Sequence, residues 1–194
     1  GALGSANTGM GYNASFLYPE RGGIQKLPEA LSLKVKDIEP GRRLVAVRPK
    51  ERTLLFHDGT QLQYETLVST VPLPKLLSMI EGLPLRFTGC GRRLTSAAVH
   101  NINIGINRPG VMPYHWIYFP EAEFPFYRVG CYSNFTPHMA PKKASSLYIE
   151  IAVRQDAASD YAQLREASLE GLRRCGILRR GDRIVAEQYN SIAP

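Results

Sequence analysis

Two long stretches of alternating residues constrain this chain more than any other feature of it. In residues 95–107, Ser96, Ala98, His100, Ile102, Ile104 and Ile106 fall on one side of an extended backbone, and Val99, Asn101, Asn103 and Gly105 on the other. In 146–154, Leu147, Ile149, Ile151 and Val153 point inward, while Tyr148, Glu150 and Arg154 point outward. Such patterning demands a sheet with one buried face, because a one-residue slip would turn every isoleucine out to water. Aromatic-rich strands at 114–119 and 126–133, joined by Pro120-Glu-Ala-Glu-Phe-Pro125, and a last strand at 184–189 extend it to a mostly antiparallel sheet of about five or six strands. An amphipathic helix over 160–175 carries Tyr161, Leu164, Leu169, Leu172 and Cys175, with Ser159 as its cap and Gly176 as its stop.

The first half of the chain is built differently. Residues 1–21 are rich in Gly, Ala, Ser and Asn and read as irregular. Ile24, Leu27, Leu31, Val35 and Ile38 recur at helical spacing, with Gly22-Gly23 before them, Pro28 in the first turn and Pro40-Gly41 as the stop. Short strands are expected at 44–48 and 53–57, then Asp58-Gly59 as a hairpin turn into 61–64. A further strand over 67–70 stops at Val71-Pro72, and a short helix follows over 73–80. Gly, Pro and Arg concentrate over 82–93, where a lobe boundary falls. The fold class is therefore α/β in the broad, α+β sense, a small strand-plus-helix piece followed by an antiparallel sheet with flanking helices.

Composition excludes several classes of function. The chain carries 24 Lys and Arg against 17 Asp and Glu, a net charge of +7, but the excess lies in scattered doublets such as Arg42-Arg43, Arg92-Arg93 and Arg179-Arg180 rather than one basic block. That pattern reads as solvated faces and disfavours a nucleic-acid partner. No apolar run is long enough for a membrane span, and Gly1-Ala-Leu-Gly-Ser5 does not read as a signal peptide. Cys90, Cys131 and Cys175 form no C-x-x-C, so reduced thiols and a cytoplasmic location are expected. His57, His100, His115 and His138 lack ligand spacing, and no metal site is expected. No H-E-x-x-H, G-x-S-x-G or phosphate-loop motif occurs.

The candidate site lies on the sheet. Asn101 and Asn103 share one strand face and need hydrogen-bond partners if buried, so that face is either solvated or a ligand-facing wall. Tyr114, Trp116, Tyr118, Phe126, Tyr127 and Tyr132 could stack on a planar group or pack the core. Arg128, within an aromatic strand, calls for a carboxylate or phosphate partner.

Three segments together resemble a known group of proteins. Phe16-Leu-Tyr-Pro-Glu-Arg-Gly-Gly-Ile-Gln-Lys-Leu-Pro-Glu-Ala-Leu31 is similar to the F-x-Y-P-x-x-G-G-x-x-x-L-P-x-A-L segment of bacterial flavin-dependent amine oxidase and protoporphyrinogen oxidase-like proteins. Leu44-Val-Ala-Val-Arg48, Asp58-Gly59 and Tyr64-Glu-Thr-Leu-Val-Ser-Thr-Val-Pro-Leu73 resemble their V-x-x-I…DG…Y-D-x-L-V-S-T-x-P-L run, three strands of the FAD-binding lobe. Phe124-Pro-Phe-Tyr-Arg-Val129 resembles the P-F-T-R segment of the related UDP-galactopyranose mutases, and residues 184–194 their relatives' V-x-x-x-x-I-x-x-A-Y-P stretch. The mutase pattern has Thr before the arginine and an acid three residues after it, where this chain has Tyr127 and Cys131.

The resemblance implies the central region of an FAD-dependent oxidoreductase, with 1–11 a lead-in, 12–81 a partial FAD-binding lobe and 82–194 the substrate-binding lobe. The strand–G-x-G-x-x-G–helix module that would hold the pyrophosphate has no counterpart in the 194 residues. On its own the chain is thus expected to be inactive and to hold FAD poorly. It would also expose an apolar face and a sheet edge to the missing remainder of its FAD domain or to self-association. Gly22, Gly23, Leu44, Val45, Thr70, Val71 and Pro72 match cofactor-side positions, and Asn101, Asn103, Trp116, Tyr127 and Arg128 would meet a small-molecule substrate, Arg128 its anionic group. Asn101 falls where some amine oxidases keep a flavin-side lysine, whose ammonium it cannot replace, and no catalytic residue is assigned. A flavin-dependent sugar mutase and a non-catalytic basic module binding phosphate or nucleic acid are the alternatives.

Overall fold

The computed structural model describes residues 16–87, 89–154 and 159–192, and the lead-in expected over 1–11 lies outside them. The chain first turns at Gly22 and Gly23, whose φ of 83° and 68° only glycine adopts cheaply. It then forms α1 (Lys26–Ser32), far shorter than the helix its apolar spacing predicts. None of its residues is buried, so no packing supports further turns, and the Ser32 hydroxyl bonds back to the Glu29 carbonyl at the frayed end. Ile24, Leu27, Leu31, Leu33, Val35 and Ile38 are all exposed, an uncovered apolar stripe.

A small antiparallel sheet follows in the order β1 (Leu44–Arg48), β2 (Thr53–Phe56) and β3 (Gln61–Gln63), the last two joined across Asp58-Gly59 as the turn chemistry requires. Residues 67–70 form no strand. Val68 is exposed, and an extended segment becomes a strand only when a neighbour offers it a hydrogen-bond ladder. After Pro72 comes α2 (Leu73–Met79), and Ile80 at its end makes a parallel bridge to Val47 that ties the helix to β1. The short α3 (Cys90–Arg93) packs against α2, where a side chain at Gly91 would meet the Pro74 carbonyl at 3.2 Å.

The larger sheet contains β4 (Ala97–Ile106), β5 (Trp116–Tyr118), β6 (Arg128–Cys131), β7 (Ser145–Arg154) and β8 (Ile184–Ile192), all antiparallel, in the order β5-β6-β7-β4-β8. β4 is flanked by β7 and β8 along nearly its whole length, so both of its edges are paired. Its predicted inner face is the observed one, Ala98, His100, Ile102, Ile104 and Ile106 being buried. Val129, Cys131, Leu147, Ile149 and Ile151 continue that face under α4 (Tyr161–Arg174), which contributes Leu169 and Leu172. Each such fully buried aliphatic side chain is worth about 1.5–3 kcal/mol. The helix lies close because Gly171 faces the Phe126 ring, where a Cβ would come within 2.8 Å. Its cap is Asp160, whose carboxylate accepts from the Ala162 N–H, one residue beyond the expected Ser159. Asp160 is the residue already in the extended conformation that a cap requires.

The turn after α4 is fastened by Arg108, which donates from Nε and Nη2 to the two Asp182 oxygens at 2.8 and 2.9 Å and to the Ile177 carbonyl at 2.9 Å. Arg108 holds the Asp182 carboxyl below the usual carboxylate range. That pair therefore stabilises the fold above the pH at which the unfolded carboxylate titrates, about 4, and its contribution is lost as pH falls through the depressed value. Asp182→Ala should cost about 2–3 kcal/mol at neutral pH by urea unfolding, and the gap between the wild-type and variant midpoints should close on acidification below about pH 4.

Candidate functional site

Pairing across the sheet sets two parallel rows of side chains on the face opposite α4. One row runs Tyr118, Arg128, Glu150, Asn101, Asn190, and the next runs Trp116, Gly130, Tyr148, Asn103, Gln188. The buried isoleucines dictate this outcome, since fixing them inward turns the intervening residues to the other face in register.

The first row is charged. Arg128 and Glu150 form a two-pronged ion pair, Nε to Oε2 at 2.6 Å and Nη2 to Oε1 at 2.8 Å, with side chains 30% and 15% exposed. Arg128 Nη1 also donates to the Tyr118 hydroxyl at 3.3 Å, and the Tyr127 hydroxyl donates to Glu150 Oε2 at 2.8 Å. The partner that Arg128 calls for is thus supplied by the neighbouring strand. A guanidinium has five N–H donors, so two remain for an incoming anion after these bonds. Desolvation, and then the Glu150 carboxylate, push the Tyr127 phenol up to about 12. Arg128 is raised as well, chiefly by its hydrogen bond to Glu150.

The second row is uncharged. Tyr148 is only 6% exposed, against the expectation of an outward side chain, because its ring lies flat across β6. A Cβ on Gly130 would sit 2.0 Å from the Tyr148 ring, so glycine is the residue that lets the ring down. Tyr132 lies tilted against it, ring centroids 4.6 Å apart, and desolvation raises the Tyr148 phenol to about 12. Next to it, the Asn103 Oδ1 is buried and has no hydrogen-bond partner among the described residues, a cost of about 1–3 kcal/mol if left so. Asn101 stands opposite Glu150 and Asn190. Phe126 is part of the core, and Tyr114 is exposed.

Trp116 borders this face in an aromatic cluster with Phe16 at 5.4 Å and Phe135 at 6.2 Å. Thr136 Oγ1 donates to the Glu20 carbonyl at 2.8 Å. These contacts dock the segment that leads into Gly22 and Gly23 onto the large sheet. The other cofactor-side positions belong to the small sheet. Leu44 and Val45 are half-buried on β1, where a bulge between Leu44 and Ala46 makes Val45 the unpaired residue, and Thr70, Val71 and Pro72 run into α2. Gly22 and Gly23 stand beside Lys26 and the Tyr18 hydroxyl, apart from the small-sheet positions in the contacts they make. They form no phosphate cradle, since α1 is only about two turns long with exposed residues throughout.

Glu150 and Tyr148 are the site residues that sequence reasoning missed. Both read as outward positions of an alternating strand, and only the pairing partners Arg128 and Gly130 reveal their role. Among the described residues, no group of three or more His, Cys, Asp or Glu could hold a metal ion, and no helix is long and apolar enough to cross a membrane.

No family model matches the chain. Solved structures do. A reduced UDP-galactopyranose mutase superposes with a TM-score of 0.80 at 25% identity, covering 90% of this chain and 40% of the mutase. A putative protoporphyrinogen oxidase from Exiguobacterium gives a TM-score of 0.65 at 16% identity over 87% of this chain and 38% of its own. An oxidoreductase from Methanosarcina mazei gives 0.66 at 14% identity over 86% and 40%. The chain therefore has the fold found in the groups its motifs resemble, and it spans about 40% of the length of those proteins.

Tyr127 and Tyr148, with phenols raised above the ordinary value of about 10, favour the folded state fully below that pH and lose this contribution as pH climbs towards about 12. The urea midpoint should fall over that alkaline window. Glu150→Gln should move the Tyr127 step of the tyrosinate absorbance titration to lower pH.

Proposed function

We propose that this chain forms the substrate-binding side, and one wall of the flavin site, of an FAD-dependent enzyme whose substrate carries an anionic group. The observation that carries the reading is the Tyr118–Arg128–Glu150–Tyr127 cluster on one sheet face, with two Arg128 donors left over. Converging arginine and tyrosines suit a sugar diphosphate better than the mostly apolar walls an amine oxidase needs. The stronger likeness to the mutase fold, 25% identity and a TM-score of 0.80, supports the same preference. The acid that the mutase pattern places three residues after its arginine has a counterpart here in Glu150, brought from the adjacent strand.

In this reading Arg128 binds and orients the anionic group, Glu150 and the Tyr127 hydroxyl that donates to it hold the guanidinium in place, and the neutral Tyr118 hydroxyl, which accepts from Arg128, keeps its own proton to donate without adding charge. FAD supplies the electron-pair chemistry when bound, with Gly22, Gly23, Leu44, Val45, Thr70, Val71 and Pro72 along its edge. The lobes divide near 82–93, and the protein is cytoplasmic, in keeping with three free cysteines. The apolar stripe of Ile24, Leu27, Leu31, Leu33, Val35 and Ile38 is where the remainder of the flavin lobe packs.

Trp116, the single tryptophan of the sequence, lies at the edge of the site and reports on it. Titration with UDP and with UDP-galactose should give saturable changes in its fluorescence, and Arg128→Ala should weaken both ligands about ten-fold or more, as expected for lost charge-assisted hydrogen bonds. A wild-type protein indifferent to both nucleotides, or an Arg128→Ala variant that binds them unchanged, would overturn the reading.

A further inference from the structure

The two edges of the large sheet differ in a way that neither the core nor the charged row requires. β5 is three residues long, lies between Pro113 and Pro120, and is packed at Trp116 against the Phe16 ring. A short, proline-flanked and partly covered strand is an ordinary means of keeping a sheet from pairing with another chain. β8, at the opposite edge, has none of these protections. It runs for nine residues without proline, glycine or lysine, and among the described residues it is paired only on its β4 side. Its Val185 and Ile192 side chains are 60% and 63% exposed. Its one charged residue, Glu187, accepts from Arg165 Nε at 2.7 and 2.9 Å and from the Tyr161 hydroxyl, so the carboxylate is drawn back onto α4 and neutralised there. The charge that would repel a neighbouring strand is thereby taken off the edge.

We propose that β8 pairs antiparallel with β8 of a second copy of this chain, about a two-fold axis perpendicular to the sheet at Gln188. Such an axis reverses strand direction and preserves the faces. A continuous ten-stranded sheet results, five strands from each copy, with both α4 helices on one face and both Arg128–Glu150 pairs on the other. Side-chain chemistry selects the centre. An axis at Glu187 would set two carboxylates opposite each other, which is unfavourable across a ladder. An axis at Tyr189 would bring its two copies together, although each ring already lies against Tyr161 at 4.5 Å. An axis at Gln188 sets Gln188 across from itself and Glu187 across from Tyr189 of the second copy, with no like charges facing. The Ile192 end of each strand then lies against the Ile184–Val185 end of the other, which covers both exposed aliphatic side chains. A second copy is the occupant because the strand is complementary to itself in this register. Nine residues a side, against about 20–30 in a standard interface, make the pairing reversible, with a dissociation constant on the order of micromolar.

Analytical ultracentrifugation of the wild-type chain over about 1–100 μM should show its average mass climbing from that of one chain towards that of two. Gln188→Lys combined with Ile192→Lys alters exposed positions only, sets two lysines face to face at the axis, and should weaken the dimer about ten-fold or more. Circular dichroism shows whether that variant has folded. Cross-linking tests the register separately. Gln188→Cys, made in a chain whose exposed Cys175 is replaced by serine, should form a disulfide-linked dimer on mild oxidation, and Cys175→Ser alone should not. Residues directly opposite in an antiparallel pair have Cα atoms about 4.5–5.5 Å apart, within disulfide reach. A mass that stays at one chain throughout, or a Gln188→Cys chain that cross-links no more than its parent, overturns the pairing. A dimer that the folded lysine variant leaves intact belongs to another surface, such as the apolar stripe from Ile24 to Ile38, and overturns it equally.

Discussion

The structure depends on the burial of one face of β4. Four isoleucine and alanine positions and a histidine face α4 and its neighbours, and β7 and β8 lie along the strand on both sides. Because side chains alternate strictly along a strand, this burial also decides what stands on the opposite face. The ion pair of Arg128 with Glu150 and the seat of Tyr148 over Gly130 follow from a register that the apolar face enforces. Slipping β7 by one residue would turn Glu150 into the core and Ile149 out, at a cost no site contact could offset.

The same arrangement explains how so many polar groups tolerate partial burial. Glu150 accepts from Arg128 and Tyr127, so its charge is neutralised and its oxygens are satisfied. The tyrosines stay protonated well beyond physiological pH, because burial and a nearby carboxylate both oppose a phenolate. On this face the exception is Asn103, whose side-chain carbonyl oxygen finds no partner among the described residues. Among the described residues only the Ser145 hydroxyl, at the start of β7, shares this state, so Asn103 marks a place on this face where the protein's own contacts stop short.

The two halves of the chain were not equally legible. β4, β7 and α4 could be placed from residue spacing to within a residue or two, since burial and periodicity agree there. In the first half the spacing overreached. The heptad-like apolar positions from Ile24 to Ile38 look like a four-turn helix, yet only Lys26–Ser32 forms one, and residues 67–70 are extended without a ladder. Both segments carry the hydrophobic pattern of packed elements without the packing. Pattern records what a segment was selected to bury, whereas a helix or strand forms only where a partner surface or ladder is present.

Sequence by itself determined the class of fold, the buried face of the sheet, the need of Arg128 for an anionic partner, and the glycine turns at Gly22, Gly23 and Gly59, because each follows from periodicity, charge or backbone sterics within a few residues. Only the tertiary structure decided that the partner of Arg128 is Glu150, 22 residues away, that Gly130 exists to seat Tyr148, and that Asn103 is left unsatisfied. Those facts depend on which strands lie side by side and in what register. Strand order is a non-local property: β4 lies between β7 and β8, far off in the sequence, and no local run of residues encodes it.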